Sequence, residues 1–132
     1  FIKQWGSRGT GPGQLAVAHS IEIDAEGMLY VADRENFRVQ IFDTEGNYTG
    51  EWKFSAMACA LYFHDDGYMY MTSGFDGEWA KVDMQGSIVG ALGRPGSANG
   101  EFGEGHFLTV NDKGDVYIAD VVNRRVQLYQ KQ

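Results

Sequence analysis

The sequence is poor in cysteine, proline, basic charge and long apolar runs, and each shortage narrows what the chain can be. A single cysteine, Cys59, rules out a disulfide within the chain. With only two prolines, the turns must come from the 18 glycines. No apolar stretch approaches the roughly 18 residues that a membrane-spanning helix needs. Eleven basic residues stand against 18 acidic ones, a formal net charge of −7, and the basic residues are scattered. Nucleic-acid affinity comes mainly from lysine and arginine neutralising phosphates, so no nucleic-acid partner is expected. The 132 residues suit one domain, and 43% hydrophobic residues suffice for a core.

What is present is a repeat. Setting His19 over His106 places Asp24 on Asn111, Gly27 on Gly114, Tyr30 on Tyr117 and Ala32-Asp33 on Ala119-Asp120. Further on, Asn36 meets Asn123, Arg38-Val39-Gln40 meets Arg125-Val126-Gln127, and Phe42 meets Tyr129. Upstream the register holds without a gap, with Gly13 on Gly100 and Leu15 on Phe102. A weaker middle copy appears when Asp66-Gly67 is set on Glu26-Gly27: Tyr70 then lies under Tyr30, and Cys59 under His19. Self-similarity at a fixed period is the mark of a repeat architecture.

Each copy spells four short strands. Apolar alternation marks the first at 19–24, 58–64 and 106–111. A hairpin turn with glycine (Glu26-Gly27, Asp66-Gly67, Lys113-Gly114) leads to the second at 28–33, 68–73 and 115–120. The third covers 38–43, 79–83 and 125–129, and the fourth 48–53 and 88–93. No fourth strand follows Tyr129, yet Phe1-Ile2-Lys3-Gln4-Trp5 resembles Tyr48-Thr49-Gly50-Glu51-Trp52. The expected fold is all-β, a β-propeller with three four-stranded blades. The repeats cover about residues 1–47, 48–87 and 88–132, and strand 1–6 completes a last blade. Propellers run from about four to eight blades, so three blades are too few to close a ring.

Gly13-Gln14-Leu15, then Tyr30-Val31-Ala32-Asp33-Arg34-Glu35-Asn36 and Arg38-Val39-Gln40-Ile41-Phe42, resemble the NHL repeat, whose architecture is a six-bladed propeller. The resemblance covers nearly the whole chain, strongly in copies one and three and faintly in copy two. Ala18 and Gly105 stand where that repeat usually has proline. Within the family, Trp5 to Phe42 is similar to the lyase domain of peptide-amidating enzymes, which cleaves a C-terminal hydroxyglycine to a peptide amide and glyoxylate. This resemblance implies a central zinc held by three histidines from alternate blades, two of them matched by His19 and His106. It also implies an active-site arginine, matched by Arg34, that pairs with the substrate carboxylate. The third histidine, the catalytic tyrosine and a second arginine have no counterpart here, and Phe107 replaces an acidic residue.

The residues carry a reading of their own. First strands line the channel of a propeller, so His19, Cys59 and His106 are expected to face the axis at one level. Imidazole and thiolate are good zinc ligands, and three protein ligands plus water make a catalytic arrangement. The plainer reading gives the histidines water and backbone partners and makes Cys59 a small buried apolar residue. Arg34 stands where the other copies have Gly74 and Val121, so the scaffold does not require it. Its planar fork suits a carboxylate; the plainer reading is a surface ion pair with Glu35 or Asp33. Asp33, Asp120, Arg38 and Arg125 recur, which points to an Asp–Arg link in the scaffold, with Ser73 and Lys81 in their places in copy two. The glycine-rich loops 6–13 and 93–100 lack the Lys and Ser or Thr of a phosphate cradle and read as connectors.

Three functions fit. One is a module that binds a small ligand or a protein through its channel face, with zinc as a candidate cofactor. Another is a zinc-dependent amidating-lyase-like enzyme or a fragment of one, and the third is an interaction scaffold. An open three-blade arc exposes apolar end faces and leaves 125–129 as an unpaired edge. A homodimer that closes six blades is therefore expected, with His106 of one chain beside His19 of the other; further blades of a longer chain are the alternative.

Overall fold

The computed structural model describes residues 1–131. Strands form where the alternation places them, within one to three residues. Blade one holds β3 (Ala18–Ile23), β4 (Leu29–Asp33), β5 (Arg38–Phe42) and β6 (Tyr48–Lys53), hydrogen-bonded in that order. Blade two repeats the order with β7 (Leu61–His64), β8 (Tyr68–Thr72), β9 (Glu78–Val82) and β10 (Ile88–Gly93). Blade three has β11 (Gly105–Val110), β12 (Val116–Asp120) and β13 (Arg125–Tyr129). All pairings within blades are antiparallel. Ahead of blade one, β1 (Ser7–Arg8) and β2 (Gln14–Leu15) pair in parallel, and a Pro95–Phe102 bridge repeats that pairing ahead of blade three. The first hairpin turn of each blade is closed by a glycine. Gly27, Gly67 and Gly114 take φ of 85°, 83° and 83°, left-handed backbone that costs glycine nothing.

The core lies between blades rather than within one. Tyr30, Val39 and Trp52 of blade one meet Leu61, Met69, Met71 and Val82 of blade two. A second cluster joins Tyr70 of blade two to Phe102, Val110, Val116 and Ile118 on the blade-three side. Each such side chain contributes roughly 1.5–3 kcal/mol by leaving water. The middle strands β4 and β8 are buried along most of their length; β8 has a blade on each side, whereas β4 has blade two on one side and the connector loop fastened to the other. The inner strands converge, β3 touching β7 and β7 touching β11. The two end faces stay open: Ile21 and Ile23 are more than half exposed on blade one, as are Phe107 and Val126 on blade three.

The expected strand at 1–6 does not form in the single chain. Phe1 and Ile2 are fully exposed, because a strand needs a paired edge and none lies beside them. Trp5 is nevertheless seated. Its ring lies so close over Gly46, in the outer turn of blade one, that an added Cβ there would meet it at 2.6 Å. Trp52 of β6 lies in the same way over Gly86, the equivalent turn residue of blade two, at 2.4 Å. Relative to blade one, Trp5 thus takes the place held by the outer strand of a preceding blade.

The expected Asp–Arg link is present and does more than join two side chains. Arg38 Nε donates to Asp33 Oδ2 at 2.9 Å, and Arg38 Nη2 donates to the carbonyls of Gly11 and Gln14. Asn36 holds Gly9, and Gln40 holds Gln14, so the whole connector loop is fastened to blade one. Blade three repeats this bond for bond, with Arg125 on Asp120, Ala98 and Glu101, and Asn123 on Gly96. Blade two manages otherwise: Ser73 bonds Glu78, and Lys81 bonds Asp66 while lying over the Tyr68 ring. The Asp33 carboxylate is wholly buried and the Arg38 side chain only 5% exposed. Removing one partner of such a pair leaves an uncompensated buried charge. Arg38→Ala should therefore lower unfolding free energy by about 3–5 kcal/mol in urea titration; a loss below about 1 kcal/mol, the value of a surface pair, would refute the clamp.

Candidate functional site at the inner strands

The inner strands share one irregularity. The β3–β4 register shifts between Ala18 and Ser20, which makes His19 the extra residue of a bulge. The β11–β12 register shifts between Gly105 and Phe107, which does the same for His106. Just ahead of β7, the Cys59 N–H donates to the Thr72 carbonyl while the Thr72 N–H donates to the Ala60 carbonyl, so two residues oppose one. A bulge re-aims a side chain off the sheet face. Here it re-aims the same repeat position three times.

The three side chains meet. One ligand atom from each of His19, Cys59 and His106 lies within 4.8 Å of the others. Cys59 Sγ is 3.6 Å from His19 Nδ1 and 3.8 Å from Nε2. The two imidazoles stand edge to face with centroids 4.8 Å apart. His19 and His106 thus meet within one chain, across Cys59, and need no second chain to do so. Cys59 is wholly buried and the histidines half-buried.

Hydrogen bonds decide which ring atoms are free. His19 Nδ1 is 3.0 Å from the Cys59 carbonyl and His106 Nδ1 is 2.9 Å from Glu104 Oε1. A carbonyl and a carboxylate oxygen accept here, so Nδ1 is the donor of each ring and Nε2 is the nitrogen left for a ligand. Burial lowers the pKa of His19, which keeps that ring neutral. Burial pushes the Cys59 thiol up to about 11, against the smaller opposing pull of Arg34, so sulfur holds its proton at neutral pH.

Arg34 follows β4 in a single 3-10 turn, Arg34–Asn36, anchored by its N–H to the Val17 carbonyl. One edge of its guanidinium pairs with Glu35, Nε at 2.9 Å and Nη2 at 2.8 Å. This is the plainer partner; Asp33 is taken by Arg38. The other edge points inward, Nη1 lying 4.0 Å from Glu104 Oε1. Glu104, only 8% exposed, is the site residue that sequence reasoning missed. Its signal was available: the repeat puts Val17 and Met57 at that position, so the carboxylate departs from the scaffold as Arg34 does. Phe107, where the resemblance implies an acid, packs its ring on His106 at 4.5 Å.

The donor set suits zinc. Two imidazole nitrogens and one sulfur make up the set, and the 3.8 Å between Cys59 Sγ and His19 Nε2 is near what Zn–N of about 2.0–2.1 Å and Zn–S of about 2.3 Å produce in a tetrahedron. Three protein ligands leave a fourth position for water or a ligand oxygen.

A family model for a 6-bladed beta-propeller (DUF5128) matches residues 1–101. The chain belongs to the six-bladed β-propeller family. It is of the NHL type and related to the peptide-amidating enzymes. It is 31% identical to NHL repeat-containing protein 3 of Homo sapiens, over 98% of this chain and 40% of that protein. It is 31% identical to peptidyl-glycine alpha-amidating monooxygenase A of Xenopus laevis, over 91% of this chain and 14% of that protein. Virginiamycin B lyase from Staphylococcus aureus shares the fold at a TM-score of 0.63 and 15% identity, over 92% of this chain and 42% of that one. The chain therefore spans about two fifths or less of the length of these relatives. No helix among the described residues is long and apolar enough to cross a membrane.

Proposed function

We propose that this half-propeller is a binding module whose channel face holds zinc on His19, Cys59 and His106, with Arg34 at the rim to receive the carboxylate of a small ligand. The observation that carries this is the convergence of one ligand atom from each of the three side chains within 4.8 Å. A bound zinc ion supplies a Lewis-acid position for a ligand oxygen. The chain's own residues do the rest. The bulges aim the donors, Cys59 would hold the metal as a thiolate, its proton released to solvent, and Arg34 offers N–H groups beside the site. A zinc lyase-like reaction is the second reading, favoured by the identity to the amidating monooxygenase. The ring of Phe107 on His106 weighs against it, since no acid stands there. A plain interaction scaffold gives no account of Arg34 and Glu104.

Competition titration with a chromophoric chelator tests the zinc reading. One zinc per chain is expected, and Cys59→Ser, His19→Gln or His106→Gln should each weaken binding by more than the roughly 10–100-fold typical of losing an outer-shell partner. Clearly less than about one zinc per chain, even with zinc added, would remove it.

We also infer that two of these chains close the ring. Val126 and Leu128 on β13 are 67% and 47% exposed, Trp5 sits over Gly46 as Trp52 of β6 sits over Gly86, and Phe1 and Ile2 reach into solvent. Pairing of that segment with the partner's open edge completes blade three and covers both end faces. Light scattering should give twice 14.7 kDa, with Trp5→Ala shifted toward monomer; a single-chain mass at every concentration would rule the dimer out.

A further inference from the structure

Glu104 is a buried carboxylate at a position the scaffold fills with apolar side chains. Val17 and Met57 occupy it in the other two blades. Burying a charge is unfavourable unless it is paired, so a carboxylate there needs partners, and it has two. His106 Nδ1 lies 2.9 Å from its Oε1, and Arg34 Nη1, from blade one, lies 4.0 Å from the same oxygen. Its main chain is held as well: the Glu104 N–H donates to Asp120 Oδ1 at 3.1 Å, and its carbonyl accepts the Val121 N–H at 3.0 Å. Asp120 is in turn fixed by Asn123 and Arg125. The scaffold clamp of blade three therefore fixes the backbone that carries the carboxylate.

We propose that Glu104 is a positioning residue: it holds His106 in the Nδ1–H tautomer and leaves Nε2 as the only free donor of that ring. An imidazole unconstrained at both nitrogens favours the proton on Nε2, which is the atom a ligand at this cluster needs bare. The two histidines reach one state by different means. For His19 the acceptor is a main-chain carbonyl, that of Cys59, and it persists whatever side chains surround it. For His106 the acceptor is a side chain, so one substitution removes it. A carboxylate behind a metal-binding histidine fixes the ring's orientation and raises its basicity. Arg34, reaching across from blade one, supplies the charge that makes a buried carboxylate tenable there. This inference deepens the zinc reading, but its first test needs no metal.

The test is nitrogen NMR of the imidazole rings in the metal-free chain at neutral pH, on the parent and on Glu104→Met and Glu104→Gln. Methionine is the middle copy's residue at this position and restores its apolar character. The parent should show His106 with its proton on Nδ1. In Glu104→Met the proton should move largely to Nε2, while Glu104→Gln, whose amide oxygen still accepts, should keep it on Nδ1. His19 should not change in either variant. Zinc affinity should then fall about 10–100-fold in Glu104→Met and less in Glu104→Gln, with the metal-free melting temperature of Glu104→Met equal to or above the parent's. A parent His106 with its proton on Nε2, or an unchanged tautomer in Glu104→Met, overturns the proposal. If the parent binds zinc and Glu104→Met binds it equally well, the positioning role fails while the zinc reading stands. If the tautomers behave as stated but the parent binds no zinc, the zinc reading fails and the role of Glu104 at His106 stands.

Discussion

The site depends on a bulge placed identically in three consecutive blades. A regular strand sends successive side chains to opposite faces of the sheet, and in a propeller both faces of a blade are packed against neighbours. A residue that must point instead toward the axis has to leave that alternation, and an extra residue in the inner strand is how it does so. His19, Cys59 and His106 are these extra residues. Because the inner strands converge, three such side chains arrive at one place, and their chemistry is decided by what they are.

Residues that recur between copies and residues that do not serve different ends. Asp33, Asn36, Arg38 and Gln40, with their counterparts in blade three, fasten a connector to each blade through the same bonds. They are scaffold, and their burial explains why the charges come in pairs. Arg34 and Glu104 occur once each, in different blades, yet lie within 4.0 Å of each other beside the cluster. The scaffold explains neither. A carboxylate and a guanidinium placed against apolar precedent at one spot are the strongest sign that the channel face does more than pack.

Much of this was legible in the sequence. Alternation and glycine turns placed the blade strands within one to three residues, and the repeat register brought His19, Cys59 and His106 to one level before any coordinates. The bulges were not legible, because an extra residue in a short strand leaves the apolar pattern on either side unchanged. Glu104 is hidden from any reading of what the copies share, because its signal is a difference between them. The tautomers depend on acceptors two and forty residues away in sequence, the Glu104 carboxylate and the Cys59 carbonyl. Residues 1–6 carry the pattern of a strand, but a strand is a property of a pair and none forms there in the single chain. Of that segment, Trp5 packs over Gly46.

The central claim is that two imidazoles and one thiolate of a single chain form one metal shell. X-ray absorption at the zinc edge of the loaded chain tests it most directly, because sulfur and nitrogen scatter differently and at different distances. One sulfur at about 2.3 Å is expected, with two nitrogens at about 2.0–2.1 Å and a light atom in the remaining position. A shell of nitrogen and oxygen alone, or of two or more sulfurs, would contradict it.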